Sequence, residues 1–181
     1  MKNSILVHIC CGVCLSGLVE ELRKRGFEPH GFFFNPNIHP FMEFQKRLRA
    51  VEVACEILKM PCHFNRQYGL NEFLCRLNGK YTGRCATCYE MRFVEVARYA
   101  KENGFSAFTT TLITSPRQNQ LLIEEIARKA GAQYGVEFVC FSAIHLHEEG
   151  KKIAKKHSLY RQQYCGCVFS EYERYNSTER E

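Results

Sequence analysis

Clusters of cysteines are the feature of this sequence with the clearest chemistry. Seven of the eleven cysteines fall in three short motifs. The clustered residues are Cys10, Cys11, Cys14, Cys85, Cys88, Cys165 and Cys167. A C-x-x-C spacing at a loop-to-helix turn lets both sulfurs face one metal ion, and a helix N-terminus favours the thiolate form. The pattern therefore indicates a metal centre or a redox site.

Seven thiols are more than a single simple site requires. A structural zinc ion takes four ligands, and the two pairs of a zinc ribbon are separated by about 15–20 residues, whereas Cys14 and Cys85 lie much farther apart. A [4Fe–4S] cluster also takes four thiolates, which leaves three cysteines for a second thiol site. We interpret the isolated cysteines as packing residues, because free cysteines are often buried. They are Cys55, Cys62, Cys75 and Cys140.

Composition limits the class of protein. The chain has 181 residues, 45% hydrophobic and 24% charged, which is typical of one globular domain. No apolar run reaches the roughly 18 residues that a membrane span needs, and an odd number of cysteines excludes a fully paired disulfide framework. We interpret Ser4–Cys10 as a buried strand and not as part of a signal peptide, since His8 interrupts the apolar run. We therefore expect a cytoplasmic protein with no membrane partner.

The charge balance gives weaker information about partners. The formal net charge is +6, which favours an anionic partner such as nucleic acid. All 19 acidic residues are Glu, so any carboxylate chemistry must use Glu or the C-terminus.

Apolar runs alternate with amphipathic stretches along the whole chain. The predicted strands are Ser4–Ile9, His30–Phe34, Cys62–Asn65, Phe105–Thr109 and Val136–Phe141. The predicted helices are Leu15–Arg25, Pro40–Leu58, Ala86–Asn103, a helix that Ser115 and Pro116 open, and Lys151–His157. We leave 69–83 as a less regular segment. This alternation predicts an α/β fold with a parallel sheet and helices on both faces. We expect one domain over residues 1–170 and a fraying polar tail over residues 171–181.

Ligand sites in such sheets lie at the carboxyl ends of the strands. The first cysteine cluster falls there, in the place of a glycine-rich phosphate loop. His39 follows the second strand as a candidate substrate ligand or proton donor. Arg84 and Arg92 flank the second cluster, and Ser115 caps a helix that suits an anion. His145 and His147 are two residues apart and are weak evidence for a metal site.

Five motifs follow one another in a specific order. They are His8-Ile9-Cys10-Cys11, Asn35-Pro36-Asn37-Ile38-His39-Pro40, Arg84-Cys85-x-x-Cys88-Tyr89, Thr110-Thr111-Leu112 with Ser115-Pro116, and Tyr160-Arg161-Gln162-x-Tyr164-Cys165-Gly166-Cys167. Together they resemble the cobalamin-independent epoxyqueuosine reductases over about residues 8–170. The resemblance implies a single Rossmann-like domain of the adenine-nucleotide alpha-hydrolase type. It also implies reduction of epoxyqueuosine to queuosine at the wobble position of tRNA.

The resemblance further implies a [4Fe–4S] cluster beside a second metal site. The motifs assign Cys10, Cys11, Cys85 and Cys88 to the cluster. Cys165 and Cys167 become either a redox pair or ligands of a neighbouring mononuclear iron. Cys14 departs from some relatives, which have Asp at this position, and a thiolate is a softer ligand than a carboxylate. The implied substrate-binding residues are Asn35, Asn37, Arg84, Arg92, Thr110, Ser115 and Arg161.

The implied chemistry is a two-electron deoxygenation. Converting an epoxide to an alkene consumes two electrons and two protons and releases water. In one version, an iron held by Cys14, Cys165 and Cys167 binds the epoxide oxygen as a Lewis acid, with electrons from an external donor. In the competing version, Cys165 and Cys167 cycle between dithiol and disulfide. The candidate proton donors are His39 and Tyr164.

Three other functions fit parts of the sequence. A tRNA-modifying ATP pyrophosphatase or thiolase needs a Ser-Gly-Gly-x-Asp-Ser loop after the first strand, and this chain contains no Asp. A non-catalytic zinc protein that binds RNA would hold one zinc ion and turn nothing over. A metal-free thiol oxidoreductase would use one C-x-x-C and leave the other two clusters without a role.

Overall fold

A five-stranded parallel sheet forms the centre of the protein. The computed structural model describes residues 3–176. The strands are β1 Asn3–His8, β2 Phe27–Phe33, β3 Cys62–Phe64, β4 Ala107–Thr110 and β5 Glu137–Phe138. Their order across the sheet is β3-β2-β1-β4-β5, and each neighbouring pair is parallel. This order is that of a doubly wound Rossmann-like sheet, so the predicted α/β fold class is confirmed.

Seven α-helices and one short 3-10 helix accompany the strands within the described residues, and the last two helices follow β5. The helices are α1 Gly12–Lys24, α2 Phe41–Ile57, α3 Leu70–Leu77, α4 Arg84–Glu102, α5 Gln120–Tyr134, α6 Leu146–Lys156 and α7 Val168–Tyr175. The 3-10 helix is Thr111–Thr114. None of the helices in residues 3–176 has the length and apolar character that crossing a membrane requires.

The central position of β1 explains its sequence. β1 pairs with β2 on one side and with β4 on the other. Its residues Ile5, Leu6 and Val7 are almost completely buried, since helices cover both faces of the sheet. The segment after β1 therefore begins at a fixed point in the middle of the carboxyl edge, where the first cysteine cluster stands.

Two glycines bring α1 and α6 into close contact. A Cβ atom at Gly17 would lie 2.2 Å from the carbonyl oxygen of Leu146, and one at Gly150 would lie 2.2 Å from that of Val13. Neither position has room for a side chain, because both obstacles are backbone atoms. This contact fixes the start of α6 beside the start of α1, at the edge of the sheet that carries the cysteines.

The structure corrects several local predictions. Ser115 does not open a helix: it ends the 3-10 helix, and α5 begins at Gln120 with Asn119 as its cap. The hydroxyl of Thr110 accepts the N–H of Leu112, which starts the extra helical turn ahead of Ser115. The predicted strand over 136–141 is reduced to the two residues of β5.

The segments predicted to be irregular also contain helices. The stretch 69–83 contains α3, whose apolar face buries Phe73 and Leu77. Residues 171–175 of the expected fraying tail belong to α7, and the tail residues 177–181 lie outside the described part of the chain. The packing interpretation holds for Cys55, which is buried, but is wrong for Cys75, which is exposed on α3.

Candidate metal centre

The first thiol group lies where β1 passes into α1. Cys11 is the N-terminal cap of α1, and its sulfur accepts the backbone N–H of Cys14 at 3.4 Å. The sulfur atoms of Cys10, Cys11 and Cys14 all lie within 4.8 Å of one another, and the three residues are at most 5% exposed. The helix N-terminus therefore presents three buried sulfurs to a single point.

The spacing and ionisation of this group suit a metal ion. Metal–sulfur bonds of about 2.3 Å place two sulfurs of a tetrahedral site about 3.8 Å apart, and the sulfurs of Cys10 and Cys11 are 3.8 Å apart. Hydrogen bonds from Cys11 and Cys14 hold the pKa of the Cys10 thiol well below its usual range. The hydrogen bond with Cys10, together with burial, raises the pKa of Cys11 to about 12, and the hydrogen bonds with Cys10 and Cys11 raise the pKa of Cys14 well above its usual range. A metal ion held by Cys10, Cys11 and Cys14 would supply the positive charge that lets all three thiols ionise.

Polar side chains from distant segments contact these sulfurs. The hydroxyl of Thr111, at the end of β4, donates to the Cys10 sulfur at 3.2 Å. The side-chain amide of Gln162 donates to the Cys11 sulfur at 3.1 Å. Such donors stabilise thiolate charge and orient metal ligands. The first thiol group therefore has hydrogen-bonded support typical of a ligand set.

The second thiol group combines the start of α4 with the segment before α7. Cys85 and Cys88 lie in the first two turns of α4, and Cys167 caps α7. Burial, with smaller contributions from the nearby sulfurs of Cys165 and Cys167, raises the pKa of Cys88 to about 12. The pKa of Cys85 is raised in the same way, first by burial and then by Cys165. The thiols of Cys165 and Cys167 therefore lie beside the C-x-x-C motif at the start of α4.

Two chains of hydrogen-bonded polar side chains support this second group, and the first of them is buried. Arg92, on α4, donates from Nε to the Asn37 side-chain oxygen at 2.7 Å. Asn37, which is completely buried, donates in turn to the Cys88 sulfur. The side-chain amide of Gln118 donates to the Cys165 sulfur at 3.1 Å, and its oxygen accepts the Tyr89 hydroxyl at 2.7 Å. In each chain, a second hydrogen bond fixes the orientation of the side-chain amide that donates to the cysteine sulfur.

A buried arginine holds the segment that carries Cys165 and Cys167. Arg47 of α2 is 1% exposed and donates to the backbone oxygens of Tyr164, at 2.9 Å, and Cys165, at 2.8 Å. Its charge is balanced by Glu43, with 2.7 Å between Nε and Oε1. The hydroxyl of Tyr160 donates to the other oxygen of Glu43. The third cysteine motif is therefore tied to α2 by a buried ion pair.

One cavity connects the two thiol groups. Its volume is about 350 Å³, and sulfur-bearing residues from both groups, Cys10, Cys14 and Cys165, line it. Other parts of the wall come from the segment after the 3-10 helix, from α6 and from the stretch before Cys165. The cavity lies at the carboxyl edge of the sheet, where ligands of doubly wound folds bind.

The two predicted proton donors occupy different places. His39 is 1% exposed and packs against Tyr68 and Phe73, and it is not among the residues that line the cavity. Its Nδ1 accepts the N–H of Val168 at 3.4 Å. Tyr164 lines the cavity, and its hydroxyl donates to the backbone oxygen of His39 at 2.7 Å.

The predicted substrate-binding residues also divide into two sets. Ser115 and Arg161 line the cavity. The remaining five are Asn35, Asn37, Arg84, Arg92 and Thr110, and they do not line it.

The five residues outside the cavity have structural contacts instead. Asn35 donates to the Ile9 backbone oxygen at 2.8 Å, and Thr110 contacts His8 Nδ1 at 2.8 Å. Arg84 pairs with Glu173 of α7. Together with the Arg92–Asn37 contact, these bonds hold the loops that carry the thiols.

Three residues of the site were missed by sequence reasoning. Arg47 has no motif spacing that marks it, and the spacing of Gln118 from Ser115 predicted only a capping-box role; their partners lie 118 and 47 residues away. Gln162 belongs to the motif before Cys165, but its contact with Cys11 spans 151 residues. The signal available for Gln162 was its place in the motif, whereas no sequence signal identified Arg47.

The fold and the site together define a Rossmann-like α/β protein with a thiolate centre suited to metal at the carboxyl edge of its sheet. A sequence model of the family described as epoxyqueuosine reductase QueH matches residues 5–173. The chain belongs to this family of oxidoreductases, so the predicted resemblance is confirmed.

Two relatives illustrate the match. The epoxyqueuosine reductase QueH of Dehalococcoides mccartyi is 34% identical over 97% of this chain and 96% of its own length. That of Thermotoga maritima is 34% identical over 95% of this chain and 92% of its own. Among solved structures, a predicted subunit of tRNA methyltransferase from Methanocaldococcus jannaschii superposes with a TM-score of 0.53. It is 14% identical and covers 82% of this chain and 76% of its own, which supports the fold alone.

Proposed function

We propose that this protein reduces epoxyqueuosine to queuosine at the wobble position of tRNA. The observation that carries the proposal is that cysteines of two motifs far apart in the sequence, Cys10 and Cys14 with Cys165, line one cavity at the carboxyl edge of the sheet. Family membership supplies the substrate, since the relatives are named epoxyqueuosine reductases. The thiol centre supplies a place for redox chemistry.

We further propose a [4Fe–4S] cluster and a second, mononuclear iron as the cofactors. The four thiols Cys85, Cys88, Cys165 and Cys167 match the ligand number of such a cluster. The compact group of Cys10, Cys11 and Cys14 suits one iron ion, because its sulfurs have the spacing of a mononuclear site. This division differs from the one that the motifs implied, since Cys14 lies with Cys10 and Cys11.

The reaction must balance two electrons and two protons. The two carbon–oxygen bonds of the epoxide break, a carbon–carbon double bond forms, and the oxygen leaves as water. The metal centre, when bound, would pass the two electrons from an external reductant to the substrate. The cavity holds the epoxide beside the sulfurs of Cys10, Cys14 and Cys165 and limits access of bulk water.

Tyr164 is the proposed proton donor, because it lines the cavity and His39 does not. Burial raises the pKa of Tyr164 above its ordinary range, so its hydroxyl is protonated at neutral pH. His39 acts as a positioning residue: its backbone oxygen accepts the Tyr164 hydroxyl, and its backbone N–H donates to Gly166 at 2.7 Å.

Metal and sulfide analysis tests this function first. Protein purified or reconstituted without oxygen should contain about four acid-labile sulfides and four to five irons per chain. It should also convert epoxyqueuosine in tRNA to queuosine in the presence of a strong reductant. One zinc ion without sulfide after reconstitution, together with no turnover, would overturn the proposal in favour of a zinc protein that binds RNA.

A further inference from the structure

The wall of the cavity away from the thiols is rich in basic side chains. Arg117 comes from the segment after the 3-10 helix, Lys151 from α6 and Arg161 from the stretch before Cys165. The lining residues include one acidic side chain, Glu148, whose carboxylate lies 2.6 Å from the Lys151 ammonium. Three segments that are separate in the sequence therefore bring an excess of positive charge to one opening.

His147 shows that these cations face a common point. It lines the same wall, and burial lowers its pKa, as do the charges of Lys151, Arg117 and Arg161, while Glu148 acts in the opposite direction. Its Nδ1 atom is buried without a hydrogen-bond partner among residues 3–176. An unpaired buried ring nitrogen beside converging cations is a polar group that a ligand can satisfy.

Apart from the pair of Lys151 with Glu148, the surrounding structure does not neutralise this charge. Within residues 3–176, neither Arg117 nor Arg161 forms an ion pair, and both side chains are exposed. Most other arginines of the described chain have a glutamate partner, as Arg128 has in Glu124 and Arg98 in Glu95. Unpaired cations around a cavity attract anions, because low-dielectric walls focus the field there.

The position of the wall is fixed by the fold. Lys151 and His147 lie on α6, whose start is held against α1 by the contact at Gly17 and Gly150. Arg161 lies four residues before Cys165, in the segment that Arg47 holds. The backbone segments that carry Lys151 and Arg161 therefore keep a fixed position relative to the sulfurs of the first and second thiol groups.

We propose that Arg117, Lys151 and Arg161 bind backbone phosphates of the anticodon loop on either side of the nucleotide that enters the cavity. This inference rests on the proposed function, since it assigns the tRNA-binding contacts of the same site. A cavity of about 350 Å³ is of a size for one nucleotide unit. The phosphates of its neighbours then remain at the opening, where the exposed guanidinium groups of Arg117 and Arg161 lie.

RNA binding in a salt series tests this assignment. A labelled anticodon stem–loop RNA is titrated with the reconstituted wild-type protein and with Arg117→Ala, Lys151→Ala and Arg161→Ala. Each variant should weaken binding about 5- to 10-fold near 0.1 M salt, and should reduce the slope of log K against log salt by about one. Arg161→Lys should restore most of the affinity, because it retains the charge.

Matched controls separate this effect from loss of total charge. Lys101→Ala on α4 and Lys129→Ala on α5 remove exposed cations near the C-terminal ends of their helices, away from the cavity lining. They should leave affinity and slope unchanged. Equal effects of the control and test variants, or no effect of the test variants with wild-type iron content, would overturn the assignment.

Turnover distinguishes the two proposals. If the proposed function holds, the three variants should raise KM for epoxyqueuosine-containing tRNA and leave kcat nearly unchanged. On the free epoxyqueuosine nucleoside, which carries no phosphate, the variants should match the wild type wherever that substrate is converted. RNA binding that depends on the three residues without any turnover would refute the reductase function and leave the binding assignment standing. Inorganic phosphate that competes as well as RNA would contradict an RNA site.

Discussion

A guanidinium nitrogen of Arg47 lies 2.8 Å from the backbone oxygen of Cys165, across 118 positions of sequence. The contact is enclosed: Arg47 is almost completely buried and is paired with Glu43. Because a backbone oxygen is the acceptor, the bond constrains the path of the chain and leaves the cysteine sulfur available. The position of the third thiol motif thus depends on a residue of α2 that has no redox chemistry of its own.

Replacing Arg47 with Met should therefore destabilise both the fold and the centre. The change leaves the Glu43 carboxylate buried without its cation, at a cost of about 3–5 kcal/mol. Denaturant unfolding should show the loss of stability, and iron analysis should show incomplete loading. Arg49→Met is the matched control, since Arg49 is exposed on the same helix. Equal stabilities of the two variants would contradict the role given to Arg47.

Single thiol substitutions should separate the two halves of the centre. Cys14→Ser should lower the iron content by about one per chain and leave sulfide unchanged, because Cys14 lies with Cys10 and Cys11. Cys88→Ser should remove most of the sulfide together with about four irons. Cys75→Ser on the exposed face of α3 should change neither. Loss of sulfide from the Cys14 variant would instead favour a cluster that includes the first thiol group.

Removing an amide donor should shift the reduction potential of the centre. The Gln162 amide donates to the Cys11 sulfur, and such bonds stabilise the more negative, reduced state. Gln162→Leu should therefore lower the potential in an anaerobic redox titration followed by electron paramagnetic resonance. Gln163→Leu is the control, because that neighbouring side chain donates to a backbone oxygen, that of Arg161. A lowered potential in both variants would exclude the Cys11 contact as the cause.

His39 should make the stability of the protein depend on pH. Burial, with a smaller contribution from the charge of Arg92, lowers the pKa of its imidazole from the ordinary 6.5 to about 4. Between these values the unfolded chain binds a proton that the folded protein does not. Stability should therefore fall as the pH decreases from 6.5 towards 4, by up to about 1.4 kcal/mol per pH unit.

His39→Asn tests this dependence. Asn does not titrate in this range and retains an acceptor for the N–H of Val168. The slope of unfolding free energy against pH should be smaller for this variant than for the wild type. Parallel curves for the two proteins would show that His39 is not responsible.

The glycine contact between α1 and α6 should not accept even a methyl group. Gly150→Ala would place its Cβ 2.2 Å from the Val13 backbone oxygen, so one helix must move. We expect a loss of about 1–3 kcal/mol and weaker RNA binding, because α6 carries Lys151 and His147. Lys152→Ala, on the exposed face of the same helix, should be nearly neutral in unfolding experiments. A Gly150→Ala variant as stable as Lys152→Ala would refute the close approach.

Much of the fold could be predicted from the sequence, for a physical reason. Apolar runs such as Ile5–Val7 are buried on both faces of a parallel sheet, so their hydrophobicity is continuous and easily recognised. Because the carboxyl ends of parallel strands share one edge, the convergence of the loops after β1 and β4 followed from the same pattern. The start of α5 could not be predicted in this way. The Thr110 hydroxyl accepts the backbone N–H of Leu112, and a 3-10 helical turn forms there before α5 begins.

The interior of the site was less predictable. The contact of Gln118 with the Cys165 sulfur and that of Arg47 with the chain beside it join segments far apart in the sequence. Neither residue differs in type from an ordinary surface residue. The burial of Arg47 and the short distances from these two side chains to the Cys165 segment identify them, and both exist only in the folded chain. The grouping of Cys14 with its near neighbours is local, however, and follows from the geometry of a single helix turn.

Gly17 and Gly150 have a consequence for the interpretation of mutational tolerance. In a complete substitution scan, these two positions should reject nearly every replacement, as the seven motif cysteines should. Yet neither glycine carries a side chain that could bind a metal or a nucleotide. Intolerance at the two glycines would arise from the distance between two helices, and intolerance at the cysteines from their ligand atoms. A scan scored by growth alone would therefore merge these two causes, whereas one scored also by protein abundance would separate them.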